Sequence, residues 1–377
     1  MFDLFTFFVY LSLLFTTIFL TYFRLSVSDF PSITLSKITV TFQYLIALLI
    51  ISFVVGFRYN VGVDWSAYVD SFVQIKENPL IPFRDQNHEL GFFFINKAIA
   101  ALNLSYEWMF FSVAFISWLF IFKSIPKSIL PLSIFFLFAD EYLFFSLNGV
   151  RQFVAIGIWM YASHFIISKN FFKYCLAIIF ASLFHKTVLF LIPIYFLPFN
   201  KIHDSFFWIF LFAISFVLGW TRLFVEFMDH LLTYLTTRYS FLYSYNIYIG
   251  SKYSTISVES QPGLGFAFKI LVNLMIIATS SIYTKLYPRT LPLFILFFFG
   301  SVLYNLFYNI QLMDRFINYF LVFRSVVLAF LAFHFWKMSA YKIPVLIFFT
   351  LYLLLFLTTI YNSSHMCTPF RFTFFQL

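Results

Sequence analysis

A small set of charged and polar residues stands at the ends of long apolar segments, or inside them, in a chain of which only 10% is Asp, Glu, Lys or Arg. An ionised group at membrane depth costs about 3 kcal/mol or more unless it is paired or lines a wet cavity. Residues kept at that cost usually have a function, so we expect this set to line a catalytic or binding cavity. Its members are Arg58, Asp64, Glu89, Arg151, His185 and Arg315.

The first pair, Arg58 and Asp64, follows an apolar segment that ends at Gly56. The planar fork of an arginine suits phosphate oxygens. A carboxylate at Asp64 can take the proton of a hydroxyl group. The alternative is a simple ion pair that closes a loop at the lipid headgroups.

Glu89 and Arg151 each begin a predicted helix. A carboxylate at Glu89 has either a chemical role or an electrostatic one at the helix N-terminus. Asn148 is a candidate N-cap for the later helix, and Arg151 beside that positive helix end makes an anion site. The alternative for Arg151 is an arginine that extends to the membrane interface.

His185 and Arg315 complete the set. His185 lies at the apex of a tight pair of apolar segments, and the neighbouring Lys186 indicates a wet location. There the imidazole can bind phosphate or act as a base, although a lone histidine in an apolar segment is more often structural. Arg315 begins a late apolar segment and shares a helical face with Tyr319.

The elements that position these residues are membrane helices. The chain of 377 residues is 62% hydrophobic, with a mean hydropathy of +0.91, which predicts an all-α polytopic membrane protein. We predict about 11–12 transmembrane helices, in a single membrane domain over 1–377. The predicted spans are 4–23, 38–57, 106–122, 129–147, 150–168, 171–184, 186–199, 204–220, 264–284, 290–309, 316–336 and 342–361, with an interfacial helix at 89–104.

Composition excludes several classes of protein. Two cysteines form no disulfide framework and predict no metal site, and ten glycines leave no phosphate-binding P-loop for an ATP-driven pump. The net charge of +9 is explained by membrane topology rather than by nucleic acid. No cofactor is expected.

The lysines set the orientation. Those in the short connections share one side of the membrane if 171–199 crosses twice, and that side is cytoplasmic by the positive-inside rule. The first outer loop with its interfacial helix (58–105) and the second outer loop (221–262) are then extracytoplasmic, as is the N-terminus. Most arginines also fall outside, which topology alone does not explain.

Several runs together resemble the EpsG/Wzy-type polysaccharide polymerase family, from about residue 50 to the end of the chain. Arg58-x-x-x-Gly62-x-Asp64 and an aromatic residue resemble its first-loop signature, as does the Glu89-x-Gly91 run. The family's centre is similar to Arg151-Gln152-x-x-Ala155 followed by 181–186, and its C-terminal pattern to Arg315 with Tyr319 and Pro369-Phe370. Trp65 and Phe370 stand where tyrosine is common in the family, but neither departure removes a charged group.

The resemblance implies a membrane glycosyltransferase that joins undecaprenyl-pyrophosphate-linked oligosaccharide repeat units, as in O-antigen or exopolysaccharide assembly, in a fold like that of integral-membrane (GT-C-like) glycosyltransferases. We expect a metal-independent site that faces the periplasm or exterior of the bacterial inner membrane. The implied partners are the lipid-linked oligosaccharides, membrane lipids, and a flippase and a chain-length regulator of the same pathway. The expected residues are Asp64, Glu89 and His185 for catalysis, Arg58, Arg151 and Arg315 for pyrophosphate, and Trp65, Tyr68, Gln152 and Tyr319 for sugar.

Two other classes remain open. A transporter or flippase of lipid-linked oligosaccharides also explains buried charge, but it predicts repeat symmetry and does not need a long outer loop. A membrane glycan ligase or acyltransferase shares the outer-face site.

Overall fold

The chain folds into helices, and the computed structural model describes residues 3–22, 42–83, 88–201, 203–238, 263–308 and 310–375. Within these ranges the only strand-like pairing is an isolated bridge between Arg58 and Phe372. The predicted class, an all-α polytopic membrane protein, is confirmed. The helices group into two compact units, Met1–Leu197 with Leu328–Leu377 and Pro198–Val327, where the sequence predicts a single membrane domain.

The first unit contains most of the residues singled out above. Its N-terminal segment, Met1–Leu197, contains α1 (Leu4–Thr21), α2 (Phe42–Gly56), α3 (Trp65–Glu77), α4 (Leu90–Ala101), α5 (Tyr106–Ser124), α6 (Leu130–Ala139), α7 (Tyr142–Asn148), α8 (Val150–Ile167) and α9 (Phe171–Ser182), followed by a 3-10 helix at Lys186–Phe196. Helix α5 packs between α2 and α8, and α8 packs in turn on α9. The core of the unit is therefore a layer of apolar helices.

The remaining helices belong to the second unit and to the C-terminal part of the first unit. They are α10 (Ser205–Trp220), α11 (Leu223–Arg238), α12 (Leu264–Ala278), α13 (Leu291–Leu306), α14 (Gln311–Leu321), α15 (Phe323–Trp336) and α16 (Lys342–Tyr361). In the second unit α10 packs against α12 and α13, and the Asn305 amide donates to Ser215 Oγ at 2.9 Å between α13 and α10. Polar side chains thus join helices that are otherwise apolar.

Six helices in the described ranges are long and apolar enough to cross a membrane. They are Leu4–Thr21, Tyr106–Ser124, Val150–Ile167, Pro288–Leu306, Met313–Trp336 and Ser339–Tyr361. Six shorter apolar helices lie where the sequence predicts further spans or the interfacial helix: Phe42–Gly56, Leu90–Ala101, Phe171–Ser182, Lys186–Phe196, Ser205–Trp220 and Leu264–Ala278. The total of 11–12 crossings therefore stays a prediction that depends on these shorter helices.

The predicted span 129–147 is a broken helix. Lys127–Ala139 and Tyr142–Asn148 meet at an angle of 61°, and together they make a seventh candidate span. Glu141 sits at the break with a φ of +70°, in the left-handed region. A residue with that backbone conformation cannot continue a right-handed helix, so the chain turns there.

The tight pair predicted at 171–199 is a short helical hairpin. Asn170 caps α9 by accepting the Lys173 amide at 3.0 Å, and the 3-10 return carries Pro193 inside it. Helix α9 has 12 residues, or about 18 Å at 1.5 Å per residue, against about 30 Å for a bilayer core. A helix of this length is too short to cross the bilayer core. His185, at the apex, therefore lies closer to the two ends of the hairpin than it would if each arm were a full membrane span.

The two outer connections predicted as loops are partly helical. Residues 58–88 contain α3, and 221–262 contains α11, whereas residues 239–262 lie outside the described residues. The segment after α16 closes over the 58–64 loop: Tyr59 N–H donates to Arg371 O at 2.8 Å and Gly62 N–H to Met366 O at 3.0 Å. The chain's last residues therefore help to fix the loop that follows α2.

Candidate functional site

The hairpin apex and the start of α4 make a close backbone contact. Gly91 N–H donates to Leu183 O at 2.7 Å, and a Cβ on Gly91 would lie 2.9 Å from that oxygen. Any other residue at position 91 would push the two segments apart. This approach places Glu89, which immediately precedes α4, beside His185 at the apex.

Glu89 is the centre of the cluster. Its carboxylate forms a salt bridge with Arg151 Nη1, lies 3.5 Å from His185 Nδ1, and accepts the Lys186 backbone N–H at 3.4 Å. The Glu89 side chain is 11% exposed, against 23% for Arg151 and 17% for His185. Three sequence-predicted site residues therefore meet in one partly open cluster, the Glu89–Arg151–His185 cluster, within the first unit.

The surroundings keep Glu89 ionised. Burial by itself would raise the pKa of the Glu89 carboxyl, but the close contact with His185 and the Arg151 charge outweigh burial and lower the pKa to about 2. The carboxylate consequently stays charged at all physiological pH values.

Arg151 is held by rings as well as by Glu89. It lies in the first turn of α8, and its guanidinium carbon lies 5.8 Å from the Tyr68 ring centroid and 6.0 Å from that of Phe92. Its Nε is buried and has no hydrogen-bond partner among the described residues. The side chain as a whole is 23% exposed, so other atoms of the guanidinium can reach a ligand.

His88 belongs to the same cluster, although the sequence reasoning passed over it. Its ring stacks on Tyr68 at 6.2 Å, and burial and the Arg151 charge lower the pKa of His88 to about 4. His88 is therefore neutral at physiological pH and contributes a ring and hydrogen-bonding nitrogens, not charge. Its position next to Glu89 was the one sequence signal that could have identified it.

Arg58 is fully buried and bonded to backbone. It donates from Nε to Val61 O at 3.0 Å, from Nη2 to Leu147 O at 2.9 Å and from Nη1 to Val55 O, with its guanidinium 4.2 Å from the Phe110 ring centroid. All three nitrogens are therefore engaged. These contacts favour a structural role for Arg58, and its binding of pyrophosphate stays a prediction.

Asp64 and Trp65 stand at the start of α3. Trp65 is nearly buried and donates its indole N–H to Arg58 O at 3.3 Å, so the ring supports the loop instead of facing an open surface. Asp64 is half-buried. The Asp64 carbonyl accepts the Tyr68 backbone N–H at 3.2 Å, and burial raises the pKa of the Tyr68 hydroxyl.

The other sequence-predicted residues divide between the two units. Gln152 is buried next to Arg151 on α8. Arg315 and Tyr319 lie on α14 in the second unit, with Arg315 exposed and Tyr319 buried. The roles of these three residues stay predictions.

Asn148 does not cap α8 as the sequence predicts. Gly149 occupies the N-cap position, while the Asn148 side chain accepts Val63 N–H and donates to Phe144 O at 2.9 Å and His365 O at 3.2 Å. The amide is thus used to join three chain segments, a use that depends on tertiary contacts.

The chemistry that this arrangement supports is anion binding by fixed donors. Arg151 offers a partly exposed guanidinium and His185 an imidazole, and the Glu89 carboxylate contacts both. Among the described residues there is no group of three or more His, Cys, Asp or Glu side chains suited to a metal ion.

The helices and this cluster define a polytopic all-α membrane protein with a partly buried charged site. The chain belongs to the EpsG family, which matches it over residues 41–372. Comparison with curated proteins finds no match, and comparison with solved structures finds none either. Family membership suggests a membrane protein of the polysaccharide-polymerase type, with a glycosyltransferase-like activity.

Proposed function

We propose that this protein polymerises undecaprenyl-pyrophosphate-linked oligosaccharide repeat units at the outer face of the bacterial cytoplasmic membrane. The observation that carries the proposal is the Glu89–Arg151–His185 cluster, which collects an arginine fork and an imidazole around a buried carboxylate. Membership of the EpsG family supports the same reaction class.

Arg151 and His185 bind the pyrophosphate of the donor lipid. As the glycosyl bond breaks, negative charge grows on the leaving pyrophosphate, and fixed cations in a site of low dielectric can lower the barrier by several kcal/mol. Arg151 supplies the cation that a metal ion supplies in other glycosyl transfers, so the proposed mechanism is metal-independent. Glu89 acts through these two residues as a positioning residue.

The apolar helix surfaces of the first unit accept the prenyl tails. Large exposed apolar side chains lie along α9 and the 3-10 helix that follows it, among them Phe172, Ile179 and Phe190. An exposed apolar surface of this kind is stable against lipid. A hairpin that brings His185 to Glu89 also brings this lipid-facing surface next to the cluster. The lysine distribution favours an extracytoplasmic position for the cluster.

Reconstitution tests the proposal. Purified protein in lipid nanodiscs is supplied with undecaprenyl-pyrophosphate-linked repeat units, and both polymer length and released undecaprenyl pyrophosphate are measured. We expect a ladder of products and one released carrier lipid for each bond formed. Glu89→Gln and His185→Gln should each reduce the rate at least tenfold, while Glu77→Gln, an exposed match on α3, should not.

Two results would redirect the assignment. Movement of repeat units between the leaflets of proteoliposomes without any polymer would favour a flippase. Transfer of a repeat unit or acyl group to a different glycan, again without polymer, would favour a ligase or an acyltransferase.

A further inference from the structure

A second carboxylate–imidazole pair lies in the first unit, at the break between α6 and α7. Glu141 Oε2 lies 3.5 Å from His365 Nε2, and Thr359 Oγ1 on α16 donates to Glu141 Oε1 at 3.2 Å. The two side chains are 25% and 36% exposed. Unlike the apolar helix surfaces around it, this pair presents polar atoms that a substrate can reach.

The backbone around the pair is held in a rare conformation. Glu141 has a φ of +70° and His365 a φ of +60°, with Ser363 and Met366 also in the left-handed region. Each such residue costs on the order of 1–3 kcal/mol and persists only where surrounding contacts impose it. Next to Met366, the Cys367 carbonyl accepts the Tyr10 hydroxyl at 2.9 Å.

One short stretch of chain links the pair to the Glu89–Arg151–His185 cluster. Asn148, the last residue of α7, donates to the His365 carbonyl at 3.2 Å, and Arg151 in the first turn of α8 binds Glu89. Two polar sites of different composition thus flank the junction 148–151. A reaction between two lipid-linked sugars needs two such positions, one for each substrate.

The two sites differ in what they can do with a proton. Glu89 is already paired with Arg151 and accepts a backbone N–H, and its lowered pKa makes it a weak base. The second site holds a carboxylate against one nitrogen of an imidazole and leaves the ring 36% exposed. A carboxylate that fixes the orientation of a histidine is the arrangement that general-base catalysis commonly uses.

We propose that His365, oriented by Glu141, is the general base that takes the proton of the acceptor hydroxyl. The inference rests on the polymerase function proposed above. The acceptor O–H bond breaks as its oxygen bonds to the donor's anomeric carbon. The bond from that carbon to the pyrophosphate oxygen breaks with its electron pair, so undecaprenyl pyrophosphate leaves toward Arg151 and the proton passes through His365 to solvent.

Two-substrate kinetics in nanodiscs test this assignment. We expect His365→Gln to lower kcat about 100-fold, with the binding of undecaprenyl pyrophosphate unchanged. Glu141→Gln, at a positioning residue, should lower kcat by a smaller factor and leave the donor KM unchanged. His230→Gln, at an exposed histidine on α11, is the matched control and should retain wild-type rates.

Chemical rescue separates a base from a structural histidine. Added imidazole should restore part of the activity of His365→Ala, because a free base can then enter the vacated position, and it should not restore Arg151→Lys. Loss of carrier-lipid binding together with activity in His365→Gln, or the absence of rescue, would overturn the assignment.

The kinetics also separate this inference from the function on which it rests. A wild-type protein that forms no polymer would overturn both. An active wild type with an equally active His365→Gln variant would overturn only the assignment of the base.

Discussion

Glu89 and Arg151 stand 62 residues apart in the sequence, yet their side chains form a salt bridge where α4, α8 and the hairpin apex meet. The bridge neutralises two charges that would otherwise be costly in an apolar environment. It also fixes the guanidinium that the proposed reaction needs. The Glu89–Arg151 pair therefore has both a structural role and a proposed role in the reaction, and variants can separate the two roles.

Arg151→Lys should keep the positive charge but lose the planar guanidinium with its paired N–H donors. Lysine is a point charge and cannot bind Glu89 and a phosphate oxygen with the same geometry. We expect polymer yield in the nanodisc assay to fall at least tenfold at unchanged membrane abundance. Arg289→Lys, at an exposed arginine, is the control. Equal, near-normal yields from both variants would mean that Arg151 only anchors α8 at the interface.

Arg58→Lys should act on stability. A lysine cannot supply the three directed donors that bind Val55, Val61 and Leu147, so buried carbonyls lose their partners. We expect the free energy of unfolding to fall by about 2–4 kcal/mol. The measurements are a lower Tm in detergent and reduced membrane abundance. A variant with wild-type Tm and no polymer would instead support the pyrophosphate-binding role that the sequence predicts for Arg58.

The pH dependence of stability should follow Glu89. Its pKa falls from the ordinary 4.5 to about 2 on folding, so its contribution is fully present above pH 4.5 and is lost as pH falls toward 2. At pH 7 we expect Glu89→Gln to have a lower Tm than the wild type. The difference in Tm between the wild type and Glu89→Gln should become smaller as the pH is lowered from 4.5 to 3. A difference in Tm that stays constant over this range would contradict the low pKa of Glu89.

The apolar helices lie where hydropathy predicts them, but hydropathy predicts neither α3 and α11 nor the break at residues 140–141. Asp140 and Glu141 are flanked by apolar residues on both sides, with no glycine or proline to indicate a turn. The left-handed conformation of Glu141 is associated with contacts from α16 and the segment after it, over 200 residues away. A local pattern contains no information about such contacts.

Three members of the candidate site stand out in the sequence, but His88 and the pairing of the side chains do not. Glu89, Arg151 and His185 attract notice because charge is rare beside apolar segments. Arg58 looks equivalent to Arg151 by that criterion, and the two differ only in burial and in the backbone carbonyls that Arg58 binds. His365 escapes notice because it lies beyond the last apolar segment, and Glu141, its partner, is distant in sequence.

Membrane sidedness is the last prediction. Helix α8 has 18 residues, or about 27 Å, so its ends should lie near opposite faces of the membrane. Arg151 lies in its first turn and Ser168 follows its end, close to Lys169 and Lys173, which the positive-inside rule assigns to the cytoplasm. In a Cys175→Ser, Cys367→Ser background, a cysteine at Glu77 in the first outer loop should react with an impermeant maleimide in intact spheroplasts. A cysteine at Ser168 should react only after permeabilisation. The reverse pattern would put the first outer loop in the cytoplasm and contradict polymerisation at the outer face.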